Sequence, residues 1–162
     1  MNIIFDFILD KKLSTHWKAY IFQSLYATLT VFLVIFMLQL EHAEIVASIG
    51  ASAFIVFVSP KSEAAQKRNL IGGHAIGLIV GSLFSLIPHN TILSCSAVFA
   101  FSVGLTIFLM VITDTEHPPA AGTALGVAII GLSPILIVSM VTSIGILALI
   151  QHLFRNRLVN LV

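Results

Sequence analysis

The chain has 162 residues, 58% hydrophobic and 9% charged, with a formal net charge of +1 and a mean hydropathy of +1.07. A soluble domain carries about a quarter charged residues, so the apolar excess has to face lipid and a water-soluble globule is excluded. The small net charge gives no reason to invoke nucleic acid, and the lone Cys95 allows neither an intrachain disulfide nor a cysteine-spaced metal site.

From the N-terminus, residues 1–10 are weakly amphipathic, with Ile3, Ile4, Phe5, Ile8 and Leu9 set against Asp6 and Asp10. The stretch lacks the basic start and cleavage site of a signal peptide and is expected to lie along the membrane surface, within an interfacial segment 1–18. His16, Trp17 and Tyr20 then stand where an aromatic anchor belongs. The rest, 19–162, reads as one transmembrane domain.

A bilayer core of ~30 Å takes about 20 apolar residues in a helix. Residues 19–40, 70–87 and 91–113 meet that length, the last two separated by the turn Pro88-His89-Asn90. Residues 45–59 are apolar but short and rich in small side chains. Residues 120–150 are too long for one comfortable span and are interrupted by Gly131 and Pro134. They divide into a short piece, 120–130, and a full span, 135–152. The expected fold is therefore an all-α bundle of six membrane segments, the second and fifth short.

Charge supports that division. All eight Lys and Arg fall in 11–18, 61–68 and 155–157. Six crossings place the three stretches on one side, and the positive-inside rule makes that side cytoplasmic, with both termini. A single crossing at 120–150 would send Arg155 and Arg157 to the other face.

The two halves also resemble each other. Glu41-His42 precedes the second segment and Glu116-His117 the fifth, and Ser59-Pro60 and Ser133-Pro134 close them. Each half, about 19–87 and about 91–152, reads long span, short glycine-bearing segment, long span. Three spans per half invert the second copy, the layout of many secondary transporters, in which short or interrupted segments mark the binding site.

The densest local signal is Thr113 to Thr123. Asp114 and Glu116 stand before a helix start, Pro118 and Pro119 fit a first turn, and Gly122 and Thr123 leave room for close approach. The expected result is a short helix whose positive end points inward, with His117 there to donate to an anion or relay a proton. The alternative is an ordinary capped helix with an interfacial histidine. The second signal runs from Ser59-Pro60 to Arg68-Asn69-Leu70-Ile71-Gly72-Gly73-His74. Asn69 is a candidate N-cap. Gly73, Gly77 and Gly81 form an i, i+4 stripe suited to close helix packing. His74 lies one turn into a span, where an ionisable group is costly and faces protein or a wet cavity.

Glu116-His117-Pro118-Pro119-Ala120-Ala121-Gly122-Thr123-Ala124-Leu125, together with the Ser59 to His74 stretch, resembles the HPP family of integral membrane proteins over about residues 15–152. The resemblance implies a membrane protein of suspected transport function, with plant chloroplast and cyanobacterial members linked to nitrite. It also implies four spanning helices, two fewer than the count above. On this reading the chain moves a small solute, a monovalent anion such as nitrite. The binding residues would be His117, Pro118, Pro119, Gly122, Thr123, His74, Arg68, Asn69, Gly72 and Gly73, with Asp114 and Glu116 for proton coupling. The alternative is a non-transporting membrane scaffold. An enzyme is not expected, since no Ser/His/Asp set, CxxC, HExxH or phosphate loop appears, and neither a metal nor a cofactor is implied. The expected setting is a bacterial inner membrane, and the small-residue faces invite self-association.

Overall fold

The computed structural model describes the backbone of residues 13–38 and 43–162. The amphipathic stretch 1–10 and the first Glu-His pair, Glu41-His42, lie outside the described residues. Within them the fold is all helical: α1 Leu13–Leu38, α2 Ala43–Val58, α3 Lys67–Ser85, α4 Ile92–Ile112, α5 Pro119–Ile130 and α6 Pro134–Phe154, with a 3-10 turn at Glu63–Ala65. These are the six expected segments, and α2 and α5 are the shortest.

Local chemistry sets the boundaries. Thr91 and Ser94 cap α4 reciprocally, satisfying N–H groups that have no intrahelical partner. Gly131 closes α5 at φ +81°, a conformation open to glycine. Ser133 accepts from the Leu136 N–H and Pro134 occupies the first turn of α6, so the Ser-Pro pair starts the sixth helix as much as it closes the fifth. Asn69, expected as an N-cap, is instead inside α3, which begins at Lys67 behind Gln66.

Helices α1, α4 and α6 are long and apolar enough to cross a bilayer on those criteria alone. The sequence expectation added the third segment to that class, but α3 does not reach it. Lys67, Arg68, Asn69, His74 and four glycines dilute its hydropathy, and one face of it meets protein instead of lipid. The outer faces of α1 and α4 carry exposed Phe22, Phe32, Phe36, Phe101 and Phe108, as lipid-facing surfaces should.

The described parts of the three basic stretches gather at one end of the bundle. Arg68 pairs with Asp114 at 2.6 Å. The tail after α6 folds back between the N-terminal half of α1 and the C-terminal end of α2: the Leu161 N–H donates to the Val58 carbonyl (2.9 Å), the Val159 N–H to Gln23 Oε1 (2.9 Å), and the Lys61 N–H to Asn160 Oδ1 (3.1 Å). This is the arrangement that an even number of passes requires.

The packed helix pairs are α1·α2, α4·α5, α2·α6, α3·α5, α1·α6, α3·α4, α2·α5 and α3·α6. Exchanging α1, α2, α3 with α4, α5, α6 maps this set onto itself. The apolar core sits on one side of the bundle, where Val34, Ile45, Ile49, Phe57, Met140 and Leu147 interlock. The other side, between α2, α3 and α5, is polar.

Candidate functional site

The polar side exists because α3 lets α5 approach its backbone. A Cβ on Gly77 would stand 2.5 Å from the Ala120 carbonyl oxygen, and one on Gly81 2.6 Å from that of Ala124. Gly72 and Gly73 make the same room for the loop before α5, against Thr115 and the His117 Cβ. These glycines position the site and offer it no functional group. The Asn69 amide holds the loop by donating to the Glu116 carbonyl (3.2 Å).

At this seam His74 and His117 face each other, ring centroids 4.9 Å apart, both fully buried. Ser52 of α2 lies between them, its Oγ 2.8 Å from His74 Nε2 and 2.9 Å from His117 Nε2. His117 Nδ1 is 2.7 Å from the Ala64 carbonyl in the 3-10 turn. On the far side His74 Nδ1 meets Thr123 Oγ1 at 2.8 Å. Thr123 Oγ1 meets Ser48 Oγ at 2.7 Å, and Ser48 Oγ is 2.7 Å from the Pro119 carbonyl. Ser48 and Thr123 thus join α2 to α5, the two helices that the exchange interchanges.

The donor and acceptor inventory orders the protons. A carbonyl only accepts, so His117 Nδ1 carries hydrogen toward Ala64. In a neutral ring its Nε2 then accepts from the Ser52 hydroxyl. Ser52, its hydrogen used, accepts from His74 Nε2–H. His74 Nδ1 accepts from Thr123, which accepts from Ser48. One added proton reverses the whole line: His117 donates to Ser52, Ser52 to His74 Nε2, His74 Nδ1–H to Thr123, Thr123 to Ser48, and Ser48 to the Pro119 carbonyl. Every contact of the line is used in that second polarity, while the Ser48 carbonyl, 3.0 Å from Ser52 Oγ, competes for the Ser52 hydrogen in both. The line thus admits two self-consistent polarities and ends on a carbonyl at each side.

The Ser48 end reaches a groove between α2 and α5 of about 710 Å³, walled by Ala51, Phe54, Pro118, Pro119, Gly122 and Leu125. Its walls are apolar apart from Ser48, and Pro118 is exposed. Arg68 and Asp114 are exposed and tied to each other, with the Arg68 guanidinium also donating to the Thr113 carbonyl (2.8 Å). They lie outside the buried cluster, as does the half-buried Glu116.

The positive end of α5 has no free N–H group to offer an anion. Pro118 and Pro119 have none, the Ala120 N–H bonds to the His117 carbonyl (2.9 Å) and the Ala121 N–H to that of Pro118 (3.2 Å). That helix start is already satisfied. Sequence reasoning also missed Ser48 and Ser52, which read as small filler. Their i, i+4 spacing on one face of a short intramembrane helix was the available signal.

The profile of the family described as "HPP, transmembrane region" matches residues 12–160. Two proteins of Dictyostelium discoideum, each described only as a transmembrane protein, are similar to part of the chain. One is 40% identical over 88 residues, 54% of this chain and 31% of that protein. The other is 38% identical over 85 residues, 52% and 27% respectively. Those matches cover less than a third of either relative's length. No solved structure matches.

Proposed function

The chain belongs to the HPP family of integral membrane proteins, and from that premise we propose that it moves a small solute across the bilayer, with a monovalent anion such as nitrite as the first substrate to test. The observation that carries this reading is the buried line from Ala64 through His117, Ser52, His74, Thr123 and Ser48 to Pro119. Ionisable groups inside a membrane are expensive and mark ion or proton pathways.

The chemistry favours proton symport over bare anion flow. The groove at the Ser48 end is lined almost entirely by carbon, which disfavours a naked charge. A proton delivered along the line makes the travelling pair neutral. On this reading the histidines carry the proton, and the exposed Asp114 and the half-buried Glu116 do not. Arg68, at the basic end, draws anions toward the surface. Residence in a bacterial inner membrane with both termini cytoplasmic is part of the same proposal.

Proteoliposomes given an inward nitrite gradient test it, with protein-free vesicles subtracted for passive leak. Saturable uptake with alkalinisation of the medium is expected. Ser52→Ala, which removes the hydroxyl shared by both rings, should lower the rate by about tenfold or more, the equivalent of losing one charge-assisted hydrogen bond. The second reading is a scaffold, favoured by the fact that both nitrogens of both rings are engaged by protein groups. Absence of flux for any small anion from a folded chain would establish it.

A further inference from the structure

A second feature lies on the opposite side of α3, along its contact with α6. At the basic end, the 60–68 stretch and the last turn of α6 enclose a groove of about 690 Å³. Lys61, Lys67, Arg68, Arg155 and His152 line it, and no acidic residue does. Among the described residues only Arg68 of these five has an ion-pair partner. The positive-inside rule accounts for basic residues on this face. It does not account for their convergence on one hollow from segments far apart in the chain.

Gln151 forms part of the floor. It is 7% exposed, its Nε2 donates to the Ala65 carbonyl, and its Oε1 has no partner. That oxygen is buried, so recognition of a groove ligand falls to the cations.

The next two turns of the same helices form a second, apolar groove of about 240 Å³, lined by Ile71, Ala75, Leu78, Val141, Ile144 and Gly145. A Cβ on Gly145 would meet nothing within 4 Å, so the furrow is open there. The two grooves are consecutive along both α3 and α6, charged at the aqueous end and apolar toward the interior. That is the profile of a phospholipid. Basic pockets between spanning helices on the positive face recognise anionic headgroups.

We infer that the α3–α6 furrow holds one anionic phospholipid, its phosphate among Lys61, Lys67 and Arg155, and an acyl chain along Ile71, Ala75 and Gly145. The inference is independent of the flux assignment.

The test uses the full chain, stripped of lipid in mild detergent, with bound lipid counted by native mass spectrometry. A diacyl phosphatidylglycerol is titrated against the matching phosphatidylcholine. One phosphatidylglycerol retained per chain, bound about tenfold or more tightly than the choline lipid, is expected from about 1 kcal/mol per basic residue. Lys67→Gln combined with Arg155→Gln should bring the two lipids close to parity. Gly145→Leu should weaken both lipids and leave their ratio unchanged. If the double variant does not fold, by circular dichroism and elution volume, Arg155→Gln alone reports the same ratio from an exposed position. Equal binding of the two lipids by the native chain, or an unchanged ratio in the charge variants, overturns the inference. Displacement of phosphatidylglycerol by equimolar inorganic phosphate or glycerol 3-phosphate also overturns it, assigning the groove to a soluble phosphate.

Discussion

The α3–α5 seam and the α6–α2 seam are images of each other under the exchange of halves, yet they are built differently. Leu136, Ser139, Met140, Ser143 and Leu147 of α6 are buried at the same spacing as Leu70, Gly73, His74, Gly77 and Gly81 of α3. Where α3 has glycine, α6 has serine or leucine, and where α3 has His74, α6 has Met140. The glycine seam brings backbones together and encloses two imidazoles. The other seam is filled by side chains and carries no titratable group at those positions. Gly50 and Gly145 of the second seam's helices meet nothing within 4 Å, so glycine there does not serve close packing. A symmetric scaffold thus carries an asymmetric site.

The largest expected effect comes from copying one seam onto the other at the site itself. His74→Met puts the side chain of the α6 position into α3 and breaks the hydrogen-bond line between Ser52 and Thr123. Proton-coupled flux in proteoliposomes should fall to the protein-free background while the helical circular dichroism signal stays. Retained flux would leave the difference between the seams without a functional meaning.

Next comes packing. Gly77→Ala drives a methyl group against the Ala120 carbonyl and should destabilise the fold by about 1–3 kcal/mol. Gly145→Ala, in open space, should stay within about 0.5 kcal/mol of the native chain. Thermal unfolding in detergent compares the pair, and equal effects would show that both seams tolerate bulk alike.

Ser52→Ala removes a hydroxyl but leaves His74 bonded to Thr123 and His117 to Ala64. Its cost should be about 1–3 kcal/mol. It should also shift the imidazole ¹⁵N resonances of both histidines, which in the native neutral state are expected to report Nδ1–H for His117 and Nε2–H for His74. The opposite tautomers would refute the proton order derived from the geometry.

The smallest effect belongs to the surface. Arg68→Gln breaks an ion pair between side chains that are 60% and 77% exposed, and exposed pairs contribute about 0–1 kcal/mol. Stability should barely change. Any larger change in the apparent affinity for nitrite would then reflect attraction of the anion and not folding.

Much of this was legible along the chain, for reasons specific to each residue. The glycine stripe at 73, 77 and 81 announced close packing because only a missing Cβ admits a backbone at that distance. His74 and His117 stood out because a membrane leaves an ionisable group few excuses. Ser48 and Ser52 did not stand out, since a hydroxyl on a small-residue helix serves equally as filler, as a bond to its own backbone, or as a link to a ring. The Ala64 carbonyl has no side-chain signature at all. Nothing in the sequence singled out Gln151.

Composition and periodicity by themselves determined that this is an all-helical membrane protein, that it has six segments with two of them short, and that the basic residues the structure describes gather at one end. Hydrophobic length and charge are sums over neighbouring residues, so the chain states them directly. Which atoms meet was decided only by the packed bundle. Residues 48 and 52 of α2, 64 of the 3-10 turn, 74 of α3, 117 of the loop before α5 and 123 of α5 come from five separate segments, and it is the approach of α5 to the bare backbone of α3 that sets them within hydrogen-bonding distance. The same holds for the furrow beside α6, where basic residues from 61–68 and from the end of α6 come to line one hollow.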